Sequence, residues 1–512
     1  MQPWIDAFSL TPTQAQAATT FDRDVSVAAG AGSGKTRTLA ARYLTLLEAG
    51  YPPRALAAVT FTEKAAREMR NRIRHAIATW RAGACPPEQR PRWAEIEAEI
   101  DTARIGTIHA LCAALLRAHP AEAGVDPRFE VLDEGLAAAL RAQAVEAGLH
   151  WAIEQPALRP LFAAFTTTAL AAVLTQLVEA PLDAQAALAV ENPPACWAET
   201  LRAAVRAFVE LPAVQSAVAD LRVLGTEARL VQDASEKLAD QVRGFRAQWA
   251  VVEAQLAGGD ALSAAQALFV LRREYCDGRS GKKDSVAKAA VKEWREAYDA
   301  TVQPWLGGAS KHDAAPDRAV EARAAALPPL LGQALAQTLQ HYQAAKDLRQ
   351  ALDFDDLEGH ALTLLRDPDI RARWQAQIAA LLVDEFQDTN ARQREIVEAL
   401  AGARGRLFVV GDAKQSIYRF RGADVTVFRA LSDAIAARGG LGLALAQTFR
   451  AHAGLVAILN ALMRTVLGAP RPDLPAHRVP FAALEAQRPA ADAKLAPPHL
   501  EFLVGLGQNA VE

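Results

Sequence analysis

The sequence predicts an α/β fold: a phosphate-binding domain with a parallel sheet flanked by helices, interrupted by a large α-helical insertion. Three observations carry that reading. A short apolar strand, Val25 to Ala28, runs into Ala29-Gly30-Ala31-Gly32-Ser33-Gly34-Lys35-Thr36 and then into a helical pattern. An unbroken apolar run, Ala379-Ala380-Leu381-Leu382-Val383, ends in Asp384-Glu385, as suits a parallel strand buried on both faces. Between these, more than two hundred residues are mostly Ala- and Leu-rich helical pattern.

Taken in order, the first element after the glycine loop is an amphipathic helix. Leu39, Tyr43, Leu46 and Leu47 form one stripe, which stops at Gly50 with Pro52 and Pro53 beyond. Three glycines allow consecutive amides to turn around a β-phosphate, and the following helix adds positive potential there. Lys35 would reach the β- and γ-phosphates and Thr36 would ligate Mg²⁺. The first loop position is Ala29 where the strict pattern has glycine. The alternative is a glycine-rich turn with no ligand.

Val59-Thr60-Phe61-Thr62 follows as a strand breaking into a helix capped by Thr62. Gly106-Thr107-Ile108-His109 heads a helix with Ile108, Leu111, Cys112, Leu115 and Leu116 on one face. The helical region after it is punctuated at Asn192-Pro193-Pro194, Gly258-Gly259, Asp277 to Lys283, Gly307-Gly308 and Pro328-Pro329. After the acidic strand, Asp384 is placed to hold Mg²⁺, and Glu385 to orient and deprotonate the water attacking a γ-phosphate. A third strand, Leu407 to Val410, leads into the block Gly411 to Asp424. Beyond Arg450 come a helical pattern through Leu467, a proline-rich stretch and a strand expected at His499 to Val504.

These blocks, in this order, resemble the UvrD-like branch of superfamily 1 DNA helicases. The family's Q motif is matched by Leu10-Thr11-Pro12-Thr13-Gln14, and its motif IV by Leu445-Ala446-Gln447-Thr448-Phe449-Arg450. The resemblance implies that Gln14 pairs with adenine, so that the nucleotide is ATP, and that Gln415 senses the γ-phosphate. It implies that Phe61, Tyr418 and Phe420 stack on unpaired bases, and that Thr107, His109 and Arg421 position the DNA backbone. Arg450 would act as an arginine finger. Outside that set, Phe61 reads as core, Tyr418 and Phe420 as alternating strand residues, His109 as a cap or surface residue, and Arg450 as a solvated charge. Many relatives carry Trp where this chain has Phe420, and Tyr where it has Phe449; both keep an aromatic face.

The same resemblance implies two RecA-like domains moving along one DNA strand with 3′ to 5′ polarity, driven by Mg²⁺-ATP. Residues 1–120 and 345–440 would form the first RecA-like domain and 121–344 the inserted helical domain. Residues 441–512 would begin an incomplete second RecA-like domain. The large insertion and the stretch Ala123 to Glu134 look like the AddA and RecB subunits of helicase-nucleases, which act in repair and recombination. A second helicase-nuclease subunit is then a candidate partner, beside single-stranded and duplex DNA. Motifs V and VI are absent, so weak unwinding is expected of this chain. The competing function is a non-translocating, ATP-gated accessory subunit that binds single-stranded DNA.

Composition fits without pointing there. The chain has 512 residues, 51% hydrophobic and 22% charged, with a net charge of -3, so any DNA groove is local rather than a basic surface. Four cysteines show neither a disulfide nor a zinc pattern. The N-terminal residues do not read as a secretory signal, and no apolar run suffices to span a bilayer, so a cytoplasmic, membrane-free protein is expected.

Overall fold

The computed structural model describes residues 8–83, 85–224, 230, 234–276, 285–310, 312–419, 422–471, 474, 477–491 and 500. They fall into two compact units, Met1–Ala137 with Lys346–Glu512, and Ala138–Ala345.

The first unit is built on a six-stranded parallel sheet. Its strands are β1 (Val25–Ala29), β2 (Leu56–Thr60), β3 (Arg104–Thr107), β6 (Ala380–Val383), β7 (Leu407–Gly411) and β8 (Leu441–Leu445), in the order β3-β2-β6-β7-β1-β8. Two short strands, β4 (Glu130–Val131) and β5 (Ala351–Leu352), pair separately. The apolar runs are buried on both faces, and alternate residues divide between two cores. Val27, Ala58, Leu382, Phe408 and Val410 meet Leu39, Tyr43 and Leu47 on one side. Ala57, Val59, Leu381, Val383 and Val409 meet Leu111, Leu115, Phe428 and Leu431 on the other. Because every strand is parallel, all six C-terminal ends share one rim, which is where open α/β sheets bind ligands.

β8 corrects one expected boundary. Leu441–Leu445 pairs with β1 along its whole length, Val27 opposite Leu443 and Ala29 opposite Leu445, so it completes the first sheet instead of opening a second domain. A separate two-stranded parallel sheet does follow, with β9 (Gln447–His452) beside β10 (Glu485–Arg488), and the helix Ala453–Leu467 lies between them in sequence. The strand expected at His499 to Val504 lies outside the described residues.

The second unit is helical. The sequence breaks coincide with helix ends: Asn192 caps Pro193–Val209, Gly258 ends Glu236–Ala257, and Gly307 ends Gln303–Leu306. The stretch Asp277 to Lys283 lies outside the described residues. One core of this unit centres on Trp294, whose ring meets Phe208, Phe245 and Trp249 edge-on and stacks on Tyr298 with centroids 5.2 Å apart. A second centres on Leu158, Leu170, Leu174 and Leu335. No single helix among the described residues is long and apolar enough to cross a membrane.

Candidate nucleotide and nucleic-acid site

The glycine loop leaves the end of β1 and enters the helix Lys35–Glu48. Gly32 and Gly34 have φ of 73° and 83°, the left-handed region that glycine enters without strain. Gly34 caps the helix without any side-chain hydrogen bond, so the first helical N–H groups keep their capacity for an anion. The loop carbonyls are taken by protein donors: Gln14 Nε2 donates to Ser33 O at 2.8 Å, Thr448 Oγ1 to Ala31 O at 2.9 Å, and the Phe449 N–H to Gly32 O at 2.9 Å. A β-carbon on Gly30 would lie 2.5 Å from Leu484 Cδ2, and one on Gly32 would lie 2.7 Å from Arg450 Cβ. Ala29 is the last residue of β1, buried in the ladder and outside the turn, which is why its position tolerates a side chain.

Gln14 is 1% exposed, and its amide oxygen accepts the Thr11 N–H at 3.0 Å, closing a capping box. Its amide therefore braces both the first helix and the loop.

Around the rim, five residues close a ring, through four side-chain links and one backbone N–H. Lys35 Nζ donates to Glu385 Oε2 at 2.7 Å and to Gln415 Oε1 at 3.5 Å. Gln415 Nε2 donates to Asp412 Oδ2 at 2.7 Å, the Asp412 N–H donates to Gln387 Oε1 at 2.8 Å, and Gln387 Nε2 returns to Glu385 Oε2 at 2.9 Å. Glu385 holds a φ of 52°, strained for a residue with a side chain and the kind of strain that accumulates at working sites. Asp384 is buried; desolvation first, and the adjacent Glu385 second, push its pKa up to about 6. Asp388 is raised to about 6 by the same two causes, and its Oδ1 is buried without a partner.

A magnesium nucleotide suits these donors. Ser33 Oγ in the loop is another buried oxygen without a partner. No group of three or more His, Cys, Asp or Glu gathers into a metal cage among the described residues. The Thr36 hydroxyl and the Asp384 carboxylate would hold Mg²⁺ here, and the ion would neutralise charge on a bound phosphate.

The expected DNA-facing residues are placed more variously. Phe61 and Tyr418 come together, ring centroids 4.8 Å apart and planes tilted by 31°, so they form one aromatic platform with no gap between them for a base. Thr107 Oγ1 caps the helix Ile108–Ala118 by accepting the Ala110 N–H and donates to Glu63 Oε1 at 3.0 Å. His109 Nε2 lies 3.0 Å from Glu358 Oε1, and its ring stacks on the exposed Phe354 with centroids 4.3 Å apart. Arg450 is exposed beside Gly32. Phe420 and Arg421 lie outside the described residues.

Sequence reading missed Gln387 and Glu358. Gln387 follows the acidic pair by two residues, but its role depends on the distant Asp412 N–H, which no local pattern marks. Glu358 is buried and accepts from Asn390 Nδ2 at 3.0 Å and Gln393 Nε2 at 2.6 Å besides meeting His109. Burial alone would raise its pKa, yet these hydrogen bonds outweigh burial and hold it below the usual glutamate value.

The family described as the UvrD/REP helicase N-terminal domain matches residues 10–255 and 276–436. Relatives similar to this chain are named as the A subunit of ATP-dependent helicase/nuclease. The one from Levilactobacillus brevis is 30% identical over 493 residues, covering 90% of this chain and 39% of the relative. The one from Pelotomaculum thermopropionicum is 30% identical over 503 residues, covering 89% and 38%. That of Latilactobacillus sakei is 29% identical over 495 residues, covering 89% and 55%. The chain thus spans between 38% and 55% of the length of these relatives.

Proposed function

Because the chain belongs to the UvrD/REP helicase family, we propose that its rim site binds Mg²⁺-ATP and couples hydrolysis to movement along single-stranded DNA. The observation that carries this is the meeting of Lys35, Glu385 and Gln415 within hydrogen-bond reach, across sequence separations of 350 and 380 residues. Lys35 exchanges Glu385 for the β- and γ-phosphates, which frees the carboxylate to take a proton from the attacking water. Thr36 and Asp384 hold the metal, which when bound neutralises charge on the phosphates. Gln14 braces the loop and, in this reading, also meets adenine. Gln415 faces the γ-phosphate, and Arg450, already beside the loop, approaches the transferring phosphoryl group. The Phe61–Tyr418 platform offers a face to unpaired bases without reading their sequence. Phe420 and Arg421, outside the described residues, are assigned to base stacking and backbone contact by resemblance alone, and Thr107 and His109, held by Glu63 and Glu358, are assigned to positioning the DNA backbone.

Residues 446–512 are read as the start of a second RecA-like domain, and 138–345 as the inserted helical domain. The relatives' names, the A subunit of an ATP-dependent helicase/nuclease, support a helicase that works beside a second polypeptide; a role in repair and recombination and 3′ to 5′ polarity belong to this reading by family resemblance alone. DNA-stimulated ATP turnover tests the core of this. Lys35→Ala is expected to abolish nucleotide binding, whereas Glu385→Gln retains binding and loses turnover by about 100-fold or more. ATP and DNA binding with negligible turnover in the wild type would identify a non-translocating, ATP-gated DNA-binding subunit instead.

A further inference from the structure

We propose that Gln387 is a positioning residue that couples nucleotide binding at Glu385 to DNA binding at Tyr418, an inference that rests on the ATP- and DNA-binding reading above. Gln387 is 1% exposed and spends its whole amide on this link. Nε2 donates to Glu385 Oε2 at 2.9 Å and to Asp388 Oδ2 at 3.1 Å, while Oε1 accepts the Asp412 N–H at 2.8 Å. Its backbone carbonyl accepts from Ser416 Oγ at 3.1 Å. One residue thus holds the turn 412–416 at both ends, and Tyr418 follows two residues later against Phe61. A β-carbon on Gly411 would lie 2.8 Å from Gln387 Oε1, so glycine at the end of β7 is what admits the amide.

Only an amide fits this position. It must present donors to two carboxylates and an acceptor to a buried N–H. A carboxylate there would face Glu385 and Asp388 with like charge, and an apolar side chain would leave the Asp412 N–H without an acceptor. Glu385 Oε2 has two donors, Lys35 and Gln387. When a nucleotide takes Lys35, Gln387 becomes the remaining tether, so any movement of Glu385 is passed through the planar amide to Asp412 and the turn.

The test is the affinity of the chain for a labelled oligothymidylate, measured with and without Mg²⁺ and a non-hydrolysable ATP analogue. In the wild type the two affinities are expected to differ by about 5-fold or more, the scale of ordinary site–site coupling. In Gln387→Met and in Ser416→Ala the ratio is expected to fall to within about 2-fold of unity, while each ligand alone binds within about 3-fold of wild type. Ser416→Ala removes only a hydroxyl, so it carries the test should Gln387→Met fail to fold. Wild-type coupling retained in the variants that fold overturns the inference. So does a loss of single-ligand binding together with a lower melting temperature, since that is a structural role. A wild type that binds both ligands without coupling overturns it too. A wild type that binds neither overturns the proposed function itself, and the inference with it.

Discussion

At Gly32 the demands of loop and neighbour coincide. Its φ of 73° disfavours any β-carbon, and the space such an atom would need is occupied by Arg450 Cβ and Thr448 Oγ1, at 2.7 and 2.8 Å. Gly32→Ala is therefore expected to cost about 1 to 3 kcal/mol and to displace the strand that clasps the loop. ATP affinity measured by titration calorimetry should fall while the rest of the fold persists by circular dichroism. Aromatic residues make a second test at this scale. Phe61→Ala and Tyr418→Ala dismantle one shared platform, so each is expected to weaken single-stranded DNA binding by roughly 1 to 3 kcal/mol, with the double variant losing less than the sum. Fluorescence anisotropy of a labelled oligonucleotide measures all three. The glycine loop and the helix it opens were legible because their local sequence dictates them: closely spaced glycines that take left-handed φ, then the apolar stripe of the helix. Gln387 was not, because its acceptor duty is owed to an N–H 25 residues away, and nothing in the intervening sequence announces it.

Helices are tied to one another at Glu358. This carboxylate joins Phe354–Leu364, which carries it, to Ile108–Ala118 through His109 and to Ala391–Ala401 through Asn390 and Gln393. Its pKa is lower in the folded than in the unfolded chain, so its contribution is present above the unfolded glutamate value and is lost as pH falls through the lower folded value. Thermal melts across that acidic window should show Glu358→Gln to be less stable than wild type near neutrality and closer to it at low pH. The strands show a parallel limit to what sequence reveals. β6 and β7 declare themselves by unbroken apolar runs, whereas Leu441-Gly442-Leu443-Ala444-Leu445 is short and half exposed, and its membership of the first sheet depends on the free edge of β1. Edge pairing is a property of two distant segments, so the boundary drawn at residue 441 fell one strand early.

On the scale of the molecule, each of the two compact units encloses cores of its own. Trp294 is fully buried and in ring contact with four aromatic neighbours, so Trp294→Ala is expected to destabilise the helical unit by about 3 to 5 kcal/mol, read by urea unfolding. The helical character of that unit was plain in its Ala- and Leu-rich pattern, but its aromatic centre draws on helices far apart in sequence, which periodicity within one helix does not report. The 350 residues separating Lys35 from Glu385 have a last consequence, for biosynthesis. A ribosome adding about 5 to 20 residues per second releases the lysine roughly 20 to 70 s before its carboxylate partner exists. Throughout that interval the nascent chain displays a glycine loop with no acid to answer it, and under the proposed function ATP capture would be a late signature of a polypeptide already synthesised past Gln415.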